Sequence, residues 1–176
     1  MSNKILFTKV RDVKTPERAY TSAAATDFFI PNYNSEFHED LVSKNPHKEY
    51  YECMISPNRD IMSIVIAPNG RLNIPSGIKV VMEDSNMCLF AANKSGLATK
   101  HGLICGATLV DSDYRGEIHL SVINTSPDPI VLKTGDKIVQ FMYLPVIYPT
   151  FSEISNTEYE NYNTTDRGSN GFGSSG

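Results

Sequence analysis

Alternation with a period of two is the dominant pattern in this chain. In Glu117-Ile-His-Leu-Ser-Val-Ile, apolar Ile118, Leu120 and Val122 alternate with Glu117, His119 and Ser121, which predicts a strand with one face in a core. Ile78-Lys-Val-Val-Met puts Ile78, Val80 and Met82 on one face in the same way. Lys137-Ile-Val-Gln-Phe-Met-Tyr-Leu is apolar on both faces apart from Gln140, as expected of a strand inside a barrel or a subunit interface. Turn signals punctuate these runs at Pro68-Asn-Gly, Pro75-Ser-Gly and Thr134-Gly-Asp. Many short strands between such turns predict an all-β sandwich or barrel.

Two regions interrupt the alternation. Residues 32 to about 61 are polar, mixing Asn, His, Glu and Lys among tyrosines, and read as a surface insertion with room for a short helix. From about Ser152 the chain holds few aliphatic residues and ends Asp166-Arg-Gly-Ser-Asn-Gly-Phe-Gly-Ser-Ser-Gly. Taken alone, that ending is a disordered terminus. The expected organisation is a β domain over 1–151, carrying an insertion at about 32–61, followed by a C-terminal arm over 152–176.

Composition narrows the class. The 176 residues are 40% hydrophobic and 20% charged, ordinary for a globular protein large enough for a real core. The net charge of -4 argues against direct nucleic-acid binding, which needs a basic face, but leaves room for a local phosphate pocket. Cys53, Cys88 and Cys105 are odd in number and widely spaced, so neither a disulfide framework nor a zinc site is expected, and a reducing compartment fits best. No stretch approaches the ~18 apolar residues that span a membrane. The start, Met1-Ser-Asn-Lys-Ile-Leu-Phe, does not read as a signal peptide.

Four segments carry candidate chemistry. The tail has glycines at 168, 171, 173 and 176, which let backbone N–H groups approach an anion. Arg167 adds a planar cation, Ser174 and Ser175 add hydroxyls, and Phe172 can stack on a base. Asn93-Lys94-Ser95-Gly96-Leu97 offers a cation, a hydroxyl and a glycine at one turn, although the order is not that of a Walker A loop. In Val110-Asp111-Ser112-Asp113-Tyr114-Arg115-Gly116, the carboxylates of Asp111 and Asp113 suit a general base, a bound cation or a solvated turn equally. Gly135-Asp136-Lys137-Ile138-Val139-Gln140 is a hairpin turn into a buried strand, on which the Gln140 amide needs partners from the backbone or a ligand. Each segment by itself suits an ordinary surface loop or strand.

Together with Ser22-Ala-Ala-Ala-Thr-Asp27-Phe, these segments resemble, in order, the five sequence motifs of the trimeric dUTPase family. The second motif is Lys94-Ser95-Gly96-Leu97, the third runs from Gly106 to Gly116, the fourth from Gly135 to Gln140, and the fifth from Arg167 to Gly176. The resemblance implies a distorted jelly-roll-like β-barrel forming a homotrimer, with the C-terminal arm exchanged between subunits. It implies hydrolysis of dUTP to dUMP and pyrophosphate, which limits uracil in DNA and supplies dUMP for dTMP synthesis. Asp111 would deprotonate the water that attacks the α-phosphorus, with Asp27 in a supporting place. Tyr114 would pack under the deoxyribose and exclude a 2′-hydroxyl. The hairpin of Ala107, Thr108, Leu109 and Val110 would read uracil. Lys94, Ser95, Gly96 and Gln140 would hold phosphates. Arg167, Ser174 and Ser175 would grip the γ end, with Phe172 and Gly173 closing over the base. Mg²⁺ would be held mainly by the triphosphate and water.

Two positions depart from the family pattern. Lys94 stands where Arg is usual, losing bidentate geometry, and Thr108 stands where Gly is frequent, restricting the hairpin backbone. Neither removes the water-activating carboxylate, so activity is expected to persist. The insertion is similar to those of viral members, which points to a phage or viral source, a location in the host cytoplasm and a regulatory protein partner for residues 32–61. The competing readings are a dCTP deaminase-like nucleotide enzyme on the same fold, or a dUTPase scaffold whose insertion serves regulation.

Overall fold

The computed structural model describes residues 4–56, 62–162, 165–166 and 168–169. Two compact units divide the chain, Met1–Val146 and Ile147–Gly176.

Among the described residues, the first unit is built from twelve short strands. They are β1 (Ile5–Lys9), β2 (Thr26–Phe29), β3 (Tyr51–Ile55), β4 (Met62–Ile66), β5 (Arg71–Pro75), β6 (Ile78–Met82), β7 (Met87–Asn93), β8 (Leu103–Cys105), β9 (Leu109–Val110), β10 (His119–Asn124), β11 (Ile130–Lys133) and β12 (Lys137–Pro145). Among the described residues, two α-helices interrupt them, α1 (Ser35–Lys44) and α2 (Ser95–His101), together with one short 3-10 turn (Lys48–Tyr50). The strands pair antiparallel in four small sheets with the orders β1-β6, β5-β10-β8, β11-β4-β3 and β2-β12-β7-β9. The all-β expectation holds, with helices confined to connections.

The alternation read from the sequence sets the core. β6 buries Ile78, Val80 and Met82 and exposes Lys79 and Val81. β10 buries Leu120, Val122 and Asn124, and Ile118 just ahead of it is also buried. The apolar ones among these join Ile64, Ile66, Leu72, Ile74, Leu89, Val139 and Phe141 in one cluster. The predicted turns take the backbone their residues favour. Gly77 and Gly135 have positive φ of 74° and 82°, and Asn69 adopts φ 58° without being glycine. Asn124, with no exposed surface, organises the polar interior. Its Nδ2 donates to the carbonyls of Ile66, Ala67 and Asp128, and its Oδ1 accepts from the N–H and hydroxyl of Ser126.

Residues 32–61 were expected on the surface, and part of the segment lies in the core instead. Asn34 caps α1, its side chain accepting from the Phe37 N–H. Phe37 and Leu41, one turn apart, are completely buried and belong to the main cluster. Asn45 then ties the end of α1 to β5, donating to Leu41 O and Asn73 O and accepting from Asn73 N. β3 completes a sheet with β4 and β11. The few apolar residues of the segment are spaced to face one way, which its overall polarity concealed.

In the second unit, α3 (Asn156–Tyr162) stands where the sequence suggested only a disordered arm. Ser155 and Glu158 form a reciprocal cap. The Ser155 N–H and hydroxyl donate to Glu158 Oε2, and the Glu158 N–H donates to Ser155 Oγ.

Candidate active site

The sheet order β2-β12-β7-β9 lines up the candidate motifs. In register, Asp27 on β2 lies opposite Gln140 on β12, which lies opposite Ala92 on β7. The chain leaves β7 through Asn93 and Lys94 directly into α2, so Lys94 begins beside Asp27. One carboxylate, 2% exposed, there meets two cations. Lys94 Nζ bonds Asp27 Oδ1, and Lys137 Nζ lies 3.1 Å from Oδ2. Burial pushes the Asp27 carboxyl up, but the hydrogen bonds and charges of Lys94 and Lys137 outweigh it and hold the carboxyl below the usual range.

Gln140 resolves its polar character through the backbone, donating from Nε2 to Asn93 O at 2.8 Å. Asn93 Oδ1 accepts from Cys105 N at 2.6 Å, which ties the start of the α2 connection to β8. Ser95 and Gly96 form the first turn of α2. A Cβ on Gly96 would meet nothing within 4 Å, so that turn is open on its outer side. Gly102 closes α2 in the left-handed conformation, its N–H returning to Ala98 O.

The third motif makes a separate pocket. β9 pairs with β7 through Leu89 opposite Val110 and Phe90 opposite Leu109. Thr108 O accepts from Ala91 N at 2.7 Å, so Thr108 is held through its backbone. Asp111 to Tyr114 then form a tight turn closed by Tyr114 N to Asp111 O at 3.2 Å. Ser112 Oγ anchors that turn to Ser85 O. Ala107, Leu109, Val110, Asp111, Tyr114, Ile118, His119 and Phe141 surround a pocket of ≈190 Å³. Asp111 is exposed at its rim, with Tyr114 42% and Leu109 59% exposed beside it. Thr108 does not line the pocket.

The expected residues therefore form two groups. Ala107, Leu109, Val110, Asp111 and Tyr114 share one pocket. Lys94, Asp27 and Gln140 gather where β2, β12 and the end of β7 meet. The rows of the sheet holding Gln140 and Tyr143 are three residues apart along β12, about 10 Å at strand rise. No side-chain hydrogen bond or ion pair among the described residues joins the two groups. Arg167, Phe172, Gly173, Ser174 and Ser175 lie outside the described residues.

Ile118, His119 and Phe141 line the pocket without having been assigned a site role from the sequence, and Lys137 likewise joins the Asp27 cluster. The signal for His119 was its place on the polar face of the alternation, two residues from Glu117. For Lys137 it was adjacency to the fourth motif.

The dUTPase family model matches residues 60–176. The deoxyuridine 5′-triphosphate nucleotidohydrolase of Aeromonas salmonicida is 34% identical over 115 residues, covering 64% of this chain and 72% of that protein. A dUTPase of Staphylococcus bacteriophage 80alpha, solved with dUpNHpp and described among phage dUTPases that control transfer of virulence genes, superposes with a TM-score of 0.69. It is 16% identical and covers 99% of each chain. The dUTPase of phage phi11 of S. aureus, described as coordinating a structural Mg(II) ion, gives a TM-score of 0.64 at 14% identity, covering 86% of this chain and 97% of that one. These two likenesses are in fold and extend over the N-terminal residues that the family model does not reach. The chain belongs to the dUTPase family.

Proposed function

We infer that this protein hydrolyses dUTP to dUMP and pyrophosphate. The observation that carries the reading is the pocket in which Asp111, the turn residue Tyr114 and the 107–110 hairpin meet, in a chain of this family. The hairpin presents backbone groups to a pyrimidine edge. The exposed phenol ring of Tyr114 offers a flat surface to deoxyribose and leaves no space for a 2′-hydroxyl. Asp111, at the rim, takes a proton from water as the water oxygen bonds to the α-phosphorus. The bond from that phosphorus to the bridging oxygen breaks, and pyrophosphate leaves.

The family resemblance implies a homotrimer, and the separation of the two residue groups within one chain suits a site shared between copies. In that assembly Ser95, Gly96, Lys94 and Gln140 of one copy hold the phosphates of a nucleotide whose base and sugar sit in another copy's 107–114 pocket. Lys94 serves in two ways on this reading. Its ammonium is anchored by Asp27 and remains partly open to a phosphate oxygen. Lysine acts there as a point charge where an arginine would act as a fork. Arg167, Ser174 and Ser175 grip the γ end, and Phe172 and Gly173 close over the base.

Mg²⁺ enters with the triphosphate. It keeps several waters and favours hard oxygen donors, and the exposed carboxylates of Asp111 and Asp113 suit contact with that water shell. When bound, the ion neutralises phosphate charge. The reaction is placed in a cytoplasm, that of the host for a phage protein, where the free thiols of Cys53, Cys88 and Cys105 would stay reduced.

A second reading adds a regulatory protein partner on residues 32–61. Its support is the relation in fold to phage dUTPases described as controlling gene transfer. Because Phe37 and Leu41 are core residues, deleting the segment would damage the fold. Substitutions at the exposed Glu36, Glu39 and Lys44 are the appropriate probes for a pull-down. The primary reading is tested by pyrophosphate release from dUTP, dTTP, dCTP and UTP, with ammonia release from dCTP measured in parallel. Release confined to dUTP supports it, and rapid ammonia release sinks it in favour of a deaminase.

A further inference from the structure

The molecule contains a buried charge network that the proposed chemistry does not use. Arg11, just beyond β1, has a side chain only 6% exposed. Its Nε and Nη2 donate to Glu117 Oε1 and Oε2 at 2.8 and 2.9 Å, a bidentate pair, and Nη2 also donates to Asp40 Oδ2 at 2.8 Å. Asp40 belongs to α1, and the Phe37 ring of the same helix lies 5.9 Å from the guanidinium. The hydrogen bonds that Arg11 donates to Glu117 raise the guanidinium pKa above its usual value, against the opposing effect of burial.

Glu117 is fixed twice more. Its Oε1 accepts from Gly77 N at 2.6 Å. Its backbone oxygen accepts from the Tyr114 hydroxyl at 3.0 Å and lies 3.0 Å from His119 Nδ1. Tyr114 and His119 both line the pocket that contains Asp111. A continuous path of bonded groups therefore runs from α1 through Asp40, Arg11 and Glu117 to the ring of Tyr114.

Stability alone does not account for this path. α1 is already seated by the completely buried Phe37 and Leu41. A buried ion network contributes little beyond what well-packed apolar side chains of the same volume would. The network also leaves Arg11 Nη1 buried without a hydrogen-bond partner, a cost that an apolar contact would avoid. What such a network provides is a fixed position for the groups at its end.

We propose that Arg11, Asp40 and Glu117 are positioning residues for Tyr114, through which the helix of the 32–61 segment sets discrimination against ribonucleotides. The proposal rests on the reading of Tyr114 as the sugar-facing residue. It gives α1 a role in the enzyme itself, independent of any partner.

The test compares wild type with Asp40→Asn and with Glu117→Gln, which keeps a side-chain acceptor of similar shape. Glu39→Gln on the same helix, exposed and outside the network, is the control. The kcat/KM ratio for dUTP over UTP is expected to fall about tenfold in each network variant, the size of a coupling between residues sharing one hydrogen-bond network, and to hold in the control. Hydrogen exchange followed by mass spectrometry should show faster exchange across residues 111–119 in the network variants. An unchanged ratio in both variants, or faster exchange confined to residues 35–44, overturns the proposal. If the wild type does not hydrolyse dUTP, the functional reading fails by itself. Exchange across 111–119 then decides the coupling without reference to activity.

Discussion

A Cβ placed on Gly116 would lie 2.3 Å from the hydroxyl oxygen of Tyr114 and 2.5 Å from the ring carbon that bears it. The ring of Tyr114 thus folds back over the backbone two residues ahead. Its hydroxyl reaches Glu117 O only because position 116 has no side chain.

The first prediction follows from that contact. Gly116→Ala forces the Tyr114 ring to move, because no real Cβ contact is so short. The variant should fold, since the ring is partly exposed and can swing outward. It should lose discrimination between dUTP and UTP by roughly tenfold or more, as one misplaced contact at a reacting centre can cost ~10²-fold. Competitive hydrolysis of the two nucleotides measures this.

A second prediction concerns acid stability. Asp27, buried between Lys94 and Lys137, has its carboxyl held below the usual range. Its folded pKa is therefore lower than its unfolded value of about 3.9. The stabilisation is complete above that pH and is lost as pH falls through the folded value. Asp27→Asn should cost about 1–3 kcal/mol at neutral pH. Below pH ~4 its stability should approach that of the wild type. Urea midpoints measured across the acid range give both numbers.

How much of this was legible beforehand depended on the range of the interaction. β6 and β10 were readable because alternation is local, and Ile78, Val80, Leu120 and Val122 face the core as their spacing requires. α2 was not read as a helix. Seven residues are too short for a helical period, and its only signals were Lys100 and His101 before Gly102. α3 was missed despite the capping box Ser155-Asn-Thr-Glu158, because the surrounding polarity suggested a tail. The pairing of Asp27 with Lys94 and Lys137, and of Arg11 with Asp40 and Glu117, joins residues far apart in sequence. No local pattern announces such pairs. The motif order suggested the site's chemistry, while the sheet register supplied the division of its described residues into two groups.

The third prediction addresses the C-terminal arm. Removing residues 166–176 should lower kcat/KM for dUTP by roughly 10²-fold, because it removes the proposed phosphate donors and the aromatic cover together. The melting midpoint of the Met1–Val146 unit should stay unchanged, since among the described residues its core cluster uses none beyond Tyr143. A calorimetric scan beside the kinetic assay separates the two effects.

The proposed role of Asp111 is to activate water at a dUTP site. Asp111→Asn keeps the size and position of the side chain and removes its ability to take a proton. Pyrophosphate release from dUTP by this variant, measured beside its affinity for dUTP by calorimetry, tests the claim most directly. Turnover should fall about 10²- to 10⁴-fold, with affinity close to that of the wild type. Turnover near the wild-type rate, with binding intact, would contradict it.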